Sequence, residues 1–170
     1  MILKILGAML TIIATIILGF QITGTYIKEI KQIKKLIFAL EFMENELSYR
    51  KTPLPELFEN LSTMNIGLTG KVFEKTGQLL DNQISSTAGD CLNIALSETE
   101  GLFNTALILL KQLADNLGKF DVEGQISGIH SVKEECESVL KVLETNKSEK
   151  IRSIKILCVC AGAAVAILLI

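Results

Sequence analysis

His130 is the single histidine of the 170 residues, and the cysteines are Cys91, Cys136, Cys158 and Cys160. Nucleophilic catalysis would need a base within hydrogen-bond reach of a thiol or hydroxyl. His130 could serve only if the fold carried Cys91 or Cys136 to it. Cys136 stands six residues further on, off the same helical face, so a satisfied or surface histidine is the expected reading. Glu134, Glu135 and Glu137 could suggest a cation site. No Asp/Gly loop of the calcium type accompanies them, and a solvated helix face is the commoner meaning of such a run. Gly67-Leu68-Thr69-Gly70-Lys71 ends superficially like a phosphate loop but lacks the four-residue gap between glycines and the Lys-Ser/Thr ending. No G-x-G-x-x-G or H-E-x-x-H occurs either. With no C-x-x-C pair and a reducing compartment expected, the four cysteines read as small apolar residues, not as a disulfide framework or zinc site. The residues point to no catalytic centre, cofactor or metal.

The elements that would have to position any chemistry are better marked. Apolar residues make up 49% of the chain, and they gather at its ends. No charge falls between Ile5 and Ile27, nor between Ile156 and Ile170. The first run exceeds the ~20 residues that span a hydrocarbon core. The second reaches span length if it starts at Ile151 and Arg152 and Lys155 snorkel. A cleaved leader would carry its bases before the run and small residues at a cleavage site. Here Lys4 alone precedes, while Lys28, Lys31, Lys34 and Lys35 follow. Lys147, Lys150, Arg152 and Lys155 precede the second run. Both sets of bases predict anchors, residues 1–27 and 151–170, that hold residues 28–150 on the cytoplasmic side of a bilayer. Beside the membrane these bases can meet anionic headgroups. From Thr52 to Asn146, six lysines stand against fourteen acidic residues, which argues against nucleic-acid binding.

Between the anchors the apolar spacing is helical throughout. Ile33, Leu36, Leu40, Met43 and Leu47 follow one another at three and four residues, predicting a helix to about Arg50. Thr52-Pro53-Leu54-Pro55 stops it, and Pro55 can open a second helix with Leu54, Leu57, Phe58 and Leu61 inward. A third helix is expected over Thr69 to Leu80 with Val72, Phe73, Thr76 and Leu79 inward. Residues 81–89 read as a loop or weak helix start, and a fourth helix is expected near Asp90 to Leu96. Ser97 with Glu100 fits a capping box, so a fifth helix is expected to begin there. Its stripe is Leu102, Ala106, Leu109, Leu113 and Leu117, with Gly118 as C-cap. Asp121 is the expected N-cap of a last helix, striped by Ile129, Val132, Cys136, Val139 and Leu143. No Pro or Gly after Gly128 interrupts that helix before the second anchor. The fold expected is all-α: an antiparallel bundle of about six helices between two transmembrane helices. Neither anchor run holds Asp, Glu or His, which disfavours an ion pathway or proton relay.

Two segments resemble a known family. Glu46 to Glu56, reading ELSYRKTPLPE, resembles the E-[IL]-x-Y-x-x-T-P-L-P-E segment of stage III sporulation protein AB. Leu117 to Gln125, reading LGKFDVEGQ, is similar to that family's L-G-x-x-D-x-x-x-Q segment. The basic juncture Lys147 to Lys155 before a terminal apolar run also looks like the family, although the bases after the first run are Lys where more Arg would be expected. The resemblance implies a non-enzymatic membrane platform in the sporulation channel complex between mother cell and forespore. It implies a helical domain similar to the platform proteins of type II secretion and type IV pilus machines. The implied partners are a cytoplasmic secretion-type ATPase, stage III sporulation protein AA, other channel membrane proteins and the bilayer. Homo-oligomerisation stays open. The site residues it implies are Tyr49, Arg50, Thr52, Pro53, Leu54, Pro55, Leu117, Gly118, Asp121 and Gln125, either as bends of the bundle or as a docking surface. A two-span sensor with a helical ligand-binding domain is the rival. It would place that domain outside, against both basic junctures, and would need an output domain beyond Ile170. A pore former of the holin type would need less folded middle and more polar spans.

Overall fold

A computed structural model describes the backbone of residues 2–85, 87–118 and 121–169. Many side chains of the two end helices, Lys4, Lys155 and Cys158 among them, lie outside the described residues. The elements are α1 (Ile2–Asn45), α2 (Leu54–Thr63), α3 (Leu68–Asp81), α4 (Ala88–Ser97), α5 (Asn104–Asn116), α6 (Val122–Thr145) and α7 (Lys147–Leu169), with one wide π-helical turn, Glu46–Arg50, after α1. There is no strand among the described residues. The chain divides into two compact units, one of Lys31–Leu140 and one of Met1–Ile30 with Lys141–Ile170.

The unit of Lys31–Leu140 is a bundle of six helical segments, each reversing on the one before. Its core is drawn from the stripes the spacing marks. Ile33, Leu36, Leu40 and Met43 of α1 are fully buried, as are Leu57, Phe58 and Leu61 of α2, Val72 and Phe73 of α3, and Leu110 and Leu113 of α5. Leu54, Leu79, Leu102, Val139 and Leu143, expected inward, are half-buried. The Phe58 and Phe73 rings stack tilted, 5.7 Å apart, and fasten α2 to α3. Gly77 lets α3 close on α2, since a Cβ there would stand 3.3 Å from Phe58 Cβ.

Two expectations need correction. Ser97 does not cap a fifth helix; it is the last residue of α4, and its hydroxyl donates to the Ile94 carbonyl at 2.7 Å. Gly101, which would lie inside a helix capped by Ser97, takes a left-handed φ of +87° that a helical residue does not have, and α5 begins only at Asn104. The first N–H groups of α5 have no side-chain cap. Instead the Phe103 N–H donates to Oε1 of the buried Gln32 at 2.9 Å. A tertiary acceptor from α1 thus replaces the local capping box, of which Ser97 ends α4 and Glu100 falls in the turn beyond it. The last helix is also not unbroken. It stops at Thr145 and resumes at Lys147, although Asn146 N–H still reaches Val142 O at 3.1 Å. In the unit of Met1–Ile30 with Lys141–Ile170 the Tyr26 hydroxyl donates to the Leu143 carbonyl at 2.7 Å. That carbonyl is one of the last four of α6, which an ending helix leaves without an internal partner.

Among the described residues no helix is long and apolar enough to cross a membrane. Much of both uncharged runs falls on side chains outside those residues. Described side chains within the runs include exposed Ile13, Ile17, Phe20, Ile22, Ile156, Leu157 and Val159.

Candidate functional site

The first marked segment forms the corner between α1 and α2. The π turn of Glu46–Arg50 widens the helix by one residue just before its end, and such turns are frequent at functional sites. Lys51 follows in the left-handed region at φ +54°. Glu46, buried to 6% exposure, holds the corner from inside. Its Oε1 accepts from Arg50 Nη1 at 3.0 Å, its Oε2 from the Thr52 hydroxyl at 2.7 Å, and its carbonyl from Thr52 N–H at 3.3 Å. A buried carboxylate needs such donors to offset its lost hydration. Pro53 then caps α2, accepting Leu57 N–H at 2.9 Å, and Pro55 sits in the first turn, where its missing N–H costs nothing. Leu54 is half-buried over this turn. Arg50 and Thr52 therefore face inward duties through Glu46. Tyr49 does not: it is 85% exposed.

The second segment forms the corner between α5 and α6. Leu117 is fully buried and Gly118 takes φ +76°, where a Cβ would stand 2.9 Å from the Ala88 N of α4. Asp121 caps α6 as its type predicts, Oδ1 accepting Gly124 N–H at 2.9 Å. Its carbonyl accepts the Gln125 N–H, and the Gln125 side chain is half-buried. Lys119 and Phe120 of this segment lie outside the described residues.

Nothing in the spacing says that the two segments share one end of the unit, but the register does. Glu44 of α1 accepts from His130 Nδ1 at 2.9 Å and from Lys133 Nζ, both on α6. The two helices run antiparallel there. Five residues beyond Glu44 stands Tyr49, and five before His130 stands Gln125, each about 7.5 Å along its axis at 1.5 Å per residue. Both corners thus close the same end of the unit. The α3–α4 connection joins them, because Thr87 and Ala88 abut Gly118. Thr87 caps α4 there by accepting Asp90 N–H at 3.1 Å. Among the described residues this end carries a large exposed apolar side chain from each connection: Tyr49 at 85%, Ile84 at 60% and Val122 at 48%. The α2–α3 and α4–α5 connections lie at the opposite end, where Gly67 faces Lys35 and Phe103 meets Gln32.

Residues that the spacing did not single out do much of this positioning. Glu46 stands in the first segment, yet helical patterning cannot tell a buried carboxylate from a solvated one. Gly89 and Gly128 sit within helices where a Cβ would strike Ala114 O at 2.1 Å and Asn116 Cβ at 2.5 Å. Glycine inside a helical pattern was the available signal, since it costs helix propensity unless a neighbour needs the space.

Of the chemistry-bearing residues, His130 lies between Glu44 and Glu134, its Nε2 3.5 Å from the latter, and is half exposed. Burial, with help from Glu135 and Glu137, pushes the Cys136 thiol up to about 12, so it stays a thiol at neutral pH. Burial likewise raises Cys91. Cys160 is exposed and free. Among the described residues no three His, Cys, Asp or Glu could share a metal ion. Of the basic residues flanking the apolar runs, Lys28, Lys147, Lys150 and Arg152 are exposed in one unit, and Lys31, Lys34 and half-buried Lys35 belong to the other.

The Glu44 clamp yields a pH prediction. Burial alone would raise the Glu44 carboxyl, but hydrogen bonds and charge from Lys133 and His130 outweigh it and hold the group below its ordinary 4.5. Its bond to Glu44, working against desolvation, raises Lys133 above 10.5. A depressed acid stabilises the fold above its unfolded pKa and loses that contribution as pH falls through the folded value. A raised base contributes below its unfolded pKa and fades as pH climbs past the folded one. The clamp should hold from about pH 4.5 to 10.5 and weaken outside that window. Glu44→Gln is expected to cost about 1–2 kcal/mol at pH 7, by loss of charge-assisted bonds. The gap from the parent chain should narrow below pH 4 in thermal melts; a gap constant from pH 7 to 3 would show that the carboxylate charge contributes nothing.

Three comparisons bear on this geometry. A family model described as stage III sporulation protein AB matches residues 4–170. Stage III sporulation protein AB of Bacillus subtilis (strain 168) is 27% identical over 169 residues, which covers 98% of this chain and 99% of that one. A solved structure of stage III sporulation protein AB superposes with a TM-score of 0.61 at 23% identity, covering 72% of this chain and 98% of the other, which supports the fold.

Proposed function

The chain belongs to the stage III sporulation protein AB family, which are sporulation proteins, and from that premise we propose that it is a non-enzymatic, membrane-anchored platform. In this reading the apolar ends hold it in a bilayer by two spans, with the helical unit on the cytoplasmic, mother-cell side. The unit docks a cytoplasmic secretion-type ATPase and couples its nucleotide-driven motion to a channel complex between mother cell and forespore. The uncharged runs, their exposed Ile and Leu side chains and the bases that flank them support the anchoring.

One observation carries the docking role. Three separate connections converge on one end, each fixed from within, and each leaves an apolar side chain outside. The Glu46 cluster, the Thr87–Asp90 cap and the Asp121 cap consume the polar groups of these bends. The fixed frame means that Tyr49, Ile84 and Val122 lose little conformational freedom on binding, which favours affinity. An exposed tyrosine is also a residue type that concentrates binding energy at protein interfaces. The Arg50, Thr52, Pro53 and Pro55 positions then shape the surface, while Tyr49 meets the partner.

Tyr49→Ala is expected to weaken capture of the ATPase by about tenfold, equivalent to about 1.4 kcal/mol. The melting temperature should stay unchanged, since the ring touches little of the core. Thr52→Val should lower the melting temperature first and capture only in consequence. If Tyr49→Ala binds the ATPase as the parent does, this end is not the docking surface.

A further inference from the structure

We infer that the bases beside the apolar runs, Lys28, Lys147, Lys150 and Arg152, form a collar that selects anionic phospholipid headgroups over zwitterionic ones. The inference rests on the membrane-anchored reading and adds a lipid preference to it. Charge is divided unevenly between the two units. The unit of Met1–Ile30 with Lys141–Ile170 holds seven Lys and Arg against three Asp and Glu, whereas Lys31–Leu140 holds ten against sixteen. Ion pairs join Arg50 to Glu46, Lys75 to Glu98 and Lys133 to Glu44, all in the acidic unit. Lys28, Lys147 and Arg152 are exposed without such a partner among the described residues. Lys147, Lys150 and Arg152 fall within two turns of α7, where like charges repel, and an external anion would relieve them.

The placement favours a surface over a protein ligand. Helix geometry turns about 100° per residue, so Arg152 lies about 140° round α7 from Lys147, with Lys150 on the further side. Cations spread round a helix within about 7.5 Å of axial rise suit a layer of headgroups; a docked protein would need them on one face. Past this ring, Ile156, Leu157, Val159 and Cys160 are exposed in several directions. A helix apolar on all sides immediately below a cationic ring matches the boundary between acyl chains and headgroups. Tyr26 fixes the depth. Its hydroxyl holds the Leu143 carbonyl at 2.7 Å, and the Lys150 ammonium lies 5.2 Å over its ring. A tyrosine is at home at such a boundary, and the cation over its face keeps Lys150 at the same level.

The test reconstitutes the full chain into phosphatidylcholine vesicles with a trace of spin-labelled phosphatidylglycerol or phosphatidylcholine. Electron paramagnetic resonance then reads how much of each label is held at the protein. Phosphatidylglycerol is expected to be favoured by about threefold at low salt, falling toward parity in 1 M salt, where screening acts within about 3 Å. The Lys147→Gln/Lys150→Gln/Arg152→Gln variant should hold as much phosphatidylcholine as the parent and lose the preference. Equal retention of both labels by the parent, or a preference that survives in the variant, would overturn the inference and leave the collar to an acidic protein surface. Absence of any retained label would instead sink the membrane-anchored reading, and the lipid preference with it.

Discussion

Phe73→Ala is expected to remove about 3–5 kcal/mol from the helical unit, the range for deleting a buried aromatic side chain. The Phe73 ring is fully buried and stacks on Phe58 at 5.7 Å, so both its transfer energy and its partner's contacts are lost. The space cannot close easily. Gly77 already brings α3 against Phe58 to within ordinary contact, leaving the two helices no slack to slide into the hole. For a unit of this size the melting temperature should fall by about 12–25 °C. Phe73→Leu, which keeps most of the volume, should cost less than about 1.5 kcal/mol. The check is a thermal melt of the full chain in detergent, followed by helical circular dichroism. A fall under 3 °C would mean that the ring does not fill the core. The functional consequence follows from position: α2 and α3 carry the Pro53 corner and the 82–87 connection. Loosening them should release Tyr49 and Ile84 together, so ATPase capture should fail in parallel with the melt.

Gly89→Ala is expected to cost about 2 kcal/mol, and the sign is the informative part. In an exposed helix the same change stabilises by about 1 kcal/mol, because alanine loses less backbone freedom. Here the new methyl would stand 2.1 Å from the Ala114 carbonyl oxygen and 3.0 Å from that of Leu117. Both obstacles are backbone, so no side chain can turn aside. The α4 and α5 axes must part, and overpacking of this kind costs about 1–3 kcal/mol, occasionally more. The clash wins over propensity. Parting the axes also disturbs Gly118 against Ala88, the contact that seats the second corner beside the third. Gly24→Ala in α1, where a Cβ would meet nothing within 4 Å, is the control and should not destabilise. Equal or higher stability for Gly89→Ala would show that α4 and α5 do not cross as closely as the fold has them.

The all-α character, the order of helices and most core stripes could be read from residue spacing, because a helix imposes its own 3.6-residue period on whatever sequence must bury one side. Ile33 through Leu47, Leu57-Phe58-Leu61 and Ile129 through Cys136 are such cases, and each is buried as spaced. The stops were local too. Pro53 and Pro55, Gly118 and Asp121 act through their own backbone constraints, so they keep their roles wherever the chain goes.

What the spacing could not decide was every feature that depends on a distant partner. Ser97 with Glu100 has the form of a helix start, yet α5 begins at Asn104 because Gln32, more than seventy positions away, supplies the acceptor for Phe103. Glu46 looks like any surface acid until Arg50 and Thr52 close over it. The halt at Asn146 coincides with the Tyr26 hydroxyl at the Leu143 carbonyl, a contact across more than a hundred residues. The gathering of Tyr49, Ile84 and Val122 at one end follows from helix lengths and the Glu44 register with His130 and Lys133. Residue type and period fix what a segment can be, since those forces act within a few turns. Which groups meet is settled by packing, where a shift of one residue in register would exchange every partner.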